Sequence, residues 1–253
     1  MSNIVAIARK ELRSYFASPI AWVILALFAA VFGVFFNLFL WGFLRASLGQ
    51  FGAGQSVNVN LYMIRPLLQN TSVIVLFVLP MVTMRTYAEE KRSGTIELLL
   101  TSPVTDFQII MGKFLGALGL YAAMLLVTLV GVALLFAFGS PEWRPIASAY
   151  LGLLLLGACF ISVGLLVSSL TRNQIVAGVA TFVVFLTLWI IGWLGDFTGP
   201  TTSRIVSYLS ITDHFDDFSK GVLDTKHLVY YLSVITFGLF LTAKAVDSER
   251  WRG

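Results

Sequence analysis

A chain of 253 residues that is 58% apolar and only 12% charged, with a mean hydropathy of +0.87, lies far from soluble domains, which are roughly half apolar and a quarter charged. This excludes a soluble enzyme, and at about 20 residues per span the length fits roughly six helices of an all-α polytopic membrane protein. The net charge of +4 is not gathered into a basic run or an aromatic-interleaved platform, so no nucleic-acid partner is expected.

Residues 1–18 come first. At 100° per residue Ile4, Val5, Ala8, Leu12, Tyr15 and Phe16 share one face, with Arg9, Lys10 and Arg13 on the other, the pattern of a helix lying in the headgroup plane. Ser18 and Pro19 then supply a cap and an N1 proline for a first span over 20–44. Windows of about 19 residues place further spans at 71–84, 113–138, 147–170, 174–194 and 228–246. The second has a short apolar core and reaches across a bilayer only by recruiting residues 62–70, with Pro66 as a kink or entry turn. Both termini fall on one side. If that side is cytoplasmic it holds eleven of the 17 Lys and Arg residues against six outside, the bias expected for cytoplasmic termini.

Between the second and third spans lies a charged segment, residues 85–112. Glu89, Glu90, Lys91 and Arg92 keep its start in water, Gly94 permits close backbone approach, and Ile96, Leu98, Leu99 and Leu100 form an apolar patch beside Glu97. Pro103 breaks that helix. Thr105 and Gln108 have the spacing of a capping box, so a new helix begins near Asp106. Further on, Gly112, Gly116 and Gly119 allow close helix crossing without specifying a partner.

Within the spans no Asp, Glu, Lys, Arg or His occupies a centre. Such groups serve proton- or sodium-coupled carriers, so the pattern disfavours a secondary transporter. Asn37 reads as an interhelical hydrogen bonder, the lone Cys159 as packing. Before the last span, residues 196–227 contain a short helix in which Thr212 caps, Asp213 complements the dipole, Phe215, Phe218 and Val222 form a stripe, and Gly221 marks a stop. A metal site built on His214, Asp213, Asp216 and Asp217 lacks a second His within helical reach. Solvated capping charges are the expectation there.

The run from Ala88 to Val104, AEEKRSGTIELLLTSPV, resembles the cytoplasmic loop that marks ABC-2 type permeases, membrane subunits of a class of ABC transporters. Residues Ile7-Ala8-Arg9-Lys10-Glu11-Leu12 and Tyr15-Phe16-Ala17-Ser18-Pro19 are similar to the start of the gliding-motility-type permeases within that class. His214-Phe215, Phe218, Gly221 and Glu249-Arg250-Trp251 also resemble family members. The resemblance covers the whole chain, 1–253, as a single transmembrane permease domain of the type V exporter-like fold. It implies an elbow helix at 1–18 carrying Arg9, Lys10, Glu11, Leu12 and Arg13, and a coupling helix around residues 90–100. In that helix Glu90, Gly94, Thr95 and Glu97 would face a cytoplasmic ATPase or set the approach to it. Leu98, Leu99 and Leu100 would pack back on the spans, with Pro103 as the turn. Extracytoplasmic helices at 196–227, with His214, Phe215, Phe218 and Gly221, would close the path.

The partners so implied are an ABC ATPase dimer holding ATP and Mg, a second permease copy or paralogue, an extracytoplasmic companion subunit and membrane lipids, in the bacterial cytoplasmic (inner) membrane. This chain would bind no cofactor or metal and catalyse nothing by itself. It lacks G-x-x-x-x-G-K-[ST], since Phe107 precedes Gly112-Lys113 by the distance of the first glycine. H-E-x-x-H and G-x-S-x-G are also missing. The alternatives are an ion-coupled carrier or channel and a non-transport membrane scaffold.

Overall fold

The computed structural model describes residues 3–48, 58–95, 104–194 and 208–250. Among these every regular element is helical: α1 (Asn3–Ala17), α2 (Pro19–Ser47), a π-turn (Asn60–Ile64) running into α3 (Arg65–Thr83), α4 (Ala88–Ser93), α5 (Asp106–Phe138), α6 (Trp143–Ser169), α7 (Gln174–Leu194), α8 (Ile211–Ser219) and α9 (Thr225–Arg250). Six helical stretches among the described residues are long and apolar enough to cross a membrane. They correspond to the six expected spans, and the second starts at Asn60, so it does recruit the residues ahead of Thr71. Pro66 sits where the π-turn passes into α3, a change of helical geometry at which the ring and missing N–H of proline are accommodated.

Helices α3 and α6 form the interior. Two-thirds of the apolar window of each is buried, against 17–33% for the other four. Around α6 pack α9, α3, α8, α7 and α5. The outer helices bury narrow stripes: Ala177, Thr181 and Phe185 on α7, and Tyr231, Thr242 and Val246 on α9. Their other faces carry large apolar side chains such as Trp22, Leu38, Val179 and Phe237, all more than half exposed, as lipid-facing surface requires. Tyr121 donates to the Leu153 carbonyl at 2.7 Å, and Phe160 stacks on Phe185 with centroids 4.2 Å apart, fixing α5 and α7 against α6.

Helix termini follow local chemistry. Ser18 Oγ accepts from the Ile20 amide ahead of Pro19. Thr105 and Gln108 form the full reciprocal capping box at α5. The cap of α8 is Ser210, whose hydroxyl accepts from the Asp213 amide, rather than Thr212; Ser210 has the extended backbone a cap needs, while Thr212 is already helical. Gly221 ends this unit at φ 87°, and Val222 lies past the stop and is half exposed instead of extending the Phe215–Phe218 stripe. Asn37 donates back to Gly33 of its own helix at 2.9 Å rather than to another helix among the described residues.

The glycines of α5 have a definite partner. Helix α1 lies along them: a Cβ at Gly112 would stand 2.6 Å from Ile7 Cβ, and one at Gly116 2.6 Å from Glu11 Cβ. The inner face of α1 is therefore Ile4, Ile7, Ala8, Glu11, Leu12 and Tyr15, while Val5 turns outward. Gly116→Val should push α1 off this groove and cost about 1–3 kcal/mol by overpacking. Thermal unfolding in detergent and limited proteolysis test this: a lower midpoint with faster release of the N-terminal peptide is expected, and wild-type behaviour in both would refute the docking.

Candidate functional site

Lys113 lies two turns inside α5, flanked by Ile109, Ile110 and Phe114, and its side chain is 1% exposed. An ammonium so placed must be neutralised and hydrogen-bonded. Three segments do this. Glu90 of α4 stands 2.7 Å from Nζ, Glu11 of α1 3.2 Å away, and the Thr86 carbonyl, in the link from α3 to α4, accepts at 3.0 Å. The Tyr87 ring faces the same nitrogen with its centroid 5.0 Å away, adding a cation–π contact. Lys10 lies 3.8 Å from Glu11 and 3.9 Å from Glu90, so the four charges balance.

The same link is fastened a second time, to the end of α6. Ser168 Oγ accepts from the Tyr87 and Ala88 amides at 3.1 and 3.2 Å and donates to the Met84 carbonyl at 3.1 Å. It thereby meets amides that open α4, which lack intrahelical partners. Lys91 donates to the Ser169 carbonyl. Tyr15 of α1 donates to the Val82 carbonyl at 3.3 Å and shares a hydrogen bond with Thr86; burial raises its hydroxyl to about 12, so it stays protonated. In α4 itself Glu89 and Glu90 occupy the first turn and Lys91 and Arg92 the last, each matching the helix dipole.

Helix α4 ends at Gly94, which adopts φ 74°. Among the described residues nothing lies within 4 Å of a Cβ built there, and the left-handed φ is itself a reason for glycine at this position. The turn falls inside the stretch around 90–100 expected as a coupling helix, and the chain is helical again at Thr95. Thr95 shares a hydrogen bond with Ser93 at 2.9 Å. Glu97, Leu98, Leu99, Leu100 and Pro103 lie outside the described residues. Of the α1 residues, Glu11 and Leu12 turn inward, while Arg9, Lys10 and Arg13 are exposed.

His214, Phe215 and Phe218 sit far from this cluster, against the opposite half of α6. A Cβ at Gly152 would meet Phe218 Cβ at 2.6 Å, and Ser148 donates to the Phe218 carbonyl. Gly152 and Ser168 are separated by roughly 24 Å of helix at 1.5 Å per residue. Asp216 accepts from Arg65 at 2.8 Å and Gln69 at 2.7 Å, joining α8 to α3. Burial would raise the Asp216 carboxyl, but hydrogen bonds from Lys220 and Arg65 hold it below its ordinary value. The expectation of solvated capping charges fails for His214, which is 4% exposed and 2.6 Å from His227, Nδ1 to Nδ1. The second histidine comes from the next helix and not from helical spacing. Among the described residues no group of three or more His, Cys, Asp and Glu is placed to hold a metal.

Lys113→Met should leave Glu90 and Glu11 buried without their cation and cost about 3–5 kcal/mol. Adding Glu90→Gln and Glu11→Gln should recover most of the loss, because the uncompensated charges go too. Unfolding in mixed micelles measures both variants; equal stability of Lys113→Met and wild type would show that the cage carries no load.

Residues 5–246 match the family model described as ABC-2 family transporter protein. Over 143 residues the chain is 29% identical to "Probable multidrug ABC transporter permease YbhR" of Escherichia coli (strain K12), an alignment covering 56% of this chain and 38% of that protein. The protein of the same name in Escherichia coli O157:H7 matches equally. The chain thus spans about two-fifths of the length of the curated relatives it matches. With a family match running from the first turn of α1 to near the end of α9, on an all-helical fold with six candidate spans, the chain belongs to the ABC-2 transporter family.

Proposed function

We propose that this chain is the membrane-spanning permease subunit of an ABC transporter, moved by a separate ABC ATPase dimer that binds ATP and Mg. The observation that carries the reading is the double fastening of the α3–α4 link, to α1 and α5 through Lys113 and to α6 through Ser168 and Ser169. A push on residues beyond Gly94 reaches three spans through short hydrogen bonds and ion pairs. In this reading α1 is the elbow helix in the headgroup plane, and residues 85–112 are the cytoplasmic coupling segment. Glu90 sets its approach by binding inward, leaving Thr95 and the residues after it for the ATPase. Closure of the ATPase dimer would shift the α3–α5 ends against α6, driven by the difference in ATP affinity between the two conformations.

A second copy or a paralogous permease would complete the pathway against the exposed apolar faces. Helix α8, with His214, Phe215, Phe218 and Gly221, would close the extracytoplasmic side. The distribution of Lys and Arg supports cytoplasmic termini in a bacterial inner membrane. Resemblance to the gliding-motility-type permeases adds an extracytoplasmic companion subunit. Export of an apolar or amphipathic compound fits the apolar spans, and the multidrug naming of the relatives supports the same cargo class.

Purification from native membrane in lipid should bring down an ABC ATPase whose activity depends on this chain. Gly94→Val must force a branched residue into the left-handed region, costing about 1–2 kcal/mol, at a position where no described residue lies within 4 Å of the added Cβ. It should insert and fold normally yet reduce ATPase activity to that of the ATPase alone. Transport by the isolated chain under an ion gradient, with no ATPase attached, would replace this reading with a carrier. A stable complex fully active with Gly94→Val would reject the coupling role of this turn.

A further inference from the structure

His214 and His227 are the only histidines in the chain, and the fold presses them together. Both are 4% exposed. The polarity of their hydrogen bonds assigns the ring protons. His214 Nε2 lies 3.0 Å from the Tyr208 carbonyl, which can only accept, so Nε2 carries hydrogen. Nδ1 of a neutral His214 is then an acceptor, and the 2.6 Å contact is made by Nδ1–H of His227. On the far side of His227, Nε2 stands 2.8 Å from Asp217 Oδ2. Hydrogen bonding to His227, with Lys220 adding to it, holds the Asp217 carboxyl below its ordinary value, so it is ionised and accepts. Three protons therefore occupy four ring nitrogens, and the one vacant site is the lone pair between the rings.

We propose that this pair is a proton-sensitive clasp: a proton added to His214 Nδ1 sets two N–H groups and two cations face to face and releases α8 from α9. Rotation cannot relieve the conflict within the closed packing. His214 stacks on Tyr230 at 3.8 Å and 21° and meets Tyr208 edge-on at 5.8 Å. The charged and titratable surroundings are accounted for on each packed element. On α8 they are Asp213, Asp216, Asp217 and Lys220; at α9 they are Asp224, Lys226, Tyr230 and Tyr231, with Tyr208 preceding α8. Helix α3 offers Arg65, bound to Asp216. Helix α7 has no charged residue, and α6 has Arg144, Tyr150 and the Cys159 thiol. Asp196 and Arg204 fall outside the described residues.

Burial lowers the His214 pKa, the Tyr208 carbonyl opposes this, and the neighbouring His227 lowers it further. At His214 the folded state resists the proton that the released state accepts, so the stability this ring contributes to the clasp is fully present above the ordinary imidazole value of ~6.5 and is lost as pH falls below it. The energetic lever is one proton, about tenfold in the closed-to-open ratio per pH unit while only the open form is protonated.

The test uses the full chain in lipid nanodiscs, without a histidine tag and with ring-15N histidine. At pH 7.5 the His214 ring should be neutral with hydrogen on Nε2, and His214→Asn should remove that signal. On acidification the neutral ring should take its second proton below ~6.5. Hydrogen exchange of the Ile211–Ser219 amides, corrected for intrinsic pH dependence, should then quicken by up to about tenfold per pH unit. His214→Asn keeps an acceptor near the Nδ1 position without titrating there, so its exchange should lose this dependence. A charged His214 at pH 7.5, exchange that stays flat through its titration, or wild-type dependence in His214→Asn would each overturn the clasp. If His214→Asn does not fold, the wild-type titration and exchange decide the matter alone.

Discussion

The arrangement of one end of the molecule depends on a single constraint, the burial of the Lys113 ammonium. An uncompensated charge in such a site is prohibitive, and α5 itself supplies no anion within reach: its one carboxylate, Asp106, lies two turns earlier. The counter-charges must come from elsewhere in the chain, and they come from α1 and α4, a hundred residues before it and twenty-three residues before it. Neutralising Lys113 therefore requires that the N-terminal helix and the α3–α4 link be in place together. The small side of α5 makes this feasible, since Gly112 and Gly116 let α1 come close enough for Glu11 to reach Nζ.

The spans and local helix signals were legible in the sequence because they depend on neighbouring residues. Ser18–Pro19, the Thr105–Gln108 box, the stop at Gly221 and the recruitment of residues before Thr71 are all decided within a few positions. In the sequence Lys113 is only one of the eleven Lys and Arg residues on the side of the termini, because its neutralising partners are remote. Its one local signal was an apolar setting among Ile109, Ile110 and Phe114. The glycines of α5 marked a close approach without naming α1, since the complementary surface belongs to another helix. His227 gave no local sign of pairing, for its distance of thirteen residues from His214 is set by the turn after Gly221 and by the common docking of α8 and α9 on α6.

The two polar clusters solve opposite physical problems. Around Lys113, two carboxylates and two ammonium groups balance, and every added contact strengthens the closed arrangement. Around His214 the hydrogen-bonded carboxylate lies one ring away, at Asp217, while the charge of Asp213 offsets only part of what burial and His227 do to the ring. The first cluster is a fixed joint over the range in which carboxylates and ammonium groups remain ionised. The second has a spare lone pair between two rings, which makes its closure conditional on the proton count.

Helix α6 links these regions mechanically. Near its end, Ser168 and Ser169 hold the α4 link; toward its start, Ser148 and Gly152 hold Phe218 of α8. Packing on several faces by α3, α5, α7 and α9 leaves it little freedom to bend independently, because close-packed interiors transmit displacement rather than absorb it. A tilt of α6 that carried Ser168 outward would carry Gly152 in the opposite sense about any pivot between them. The α4 link and α8 would then have to move with it or break their contacts. Motion imposed at the Lys113 joint would consequently load the α8 attachment through a rigid helix, and the proton count at the His214–His227 pair would determine how firmly α9 resists.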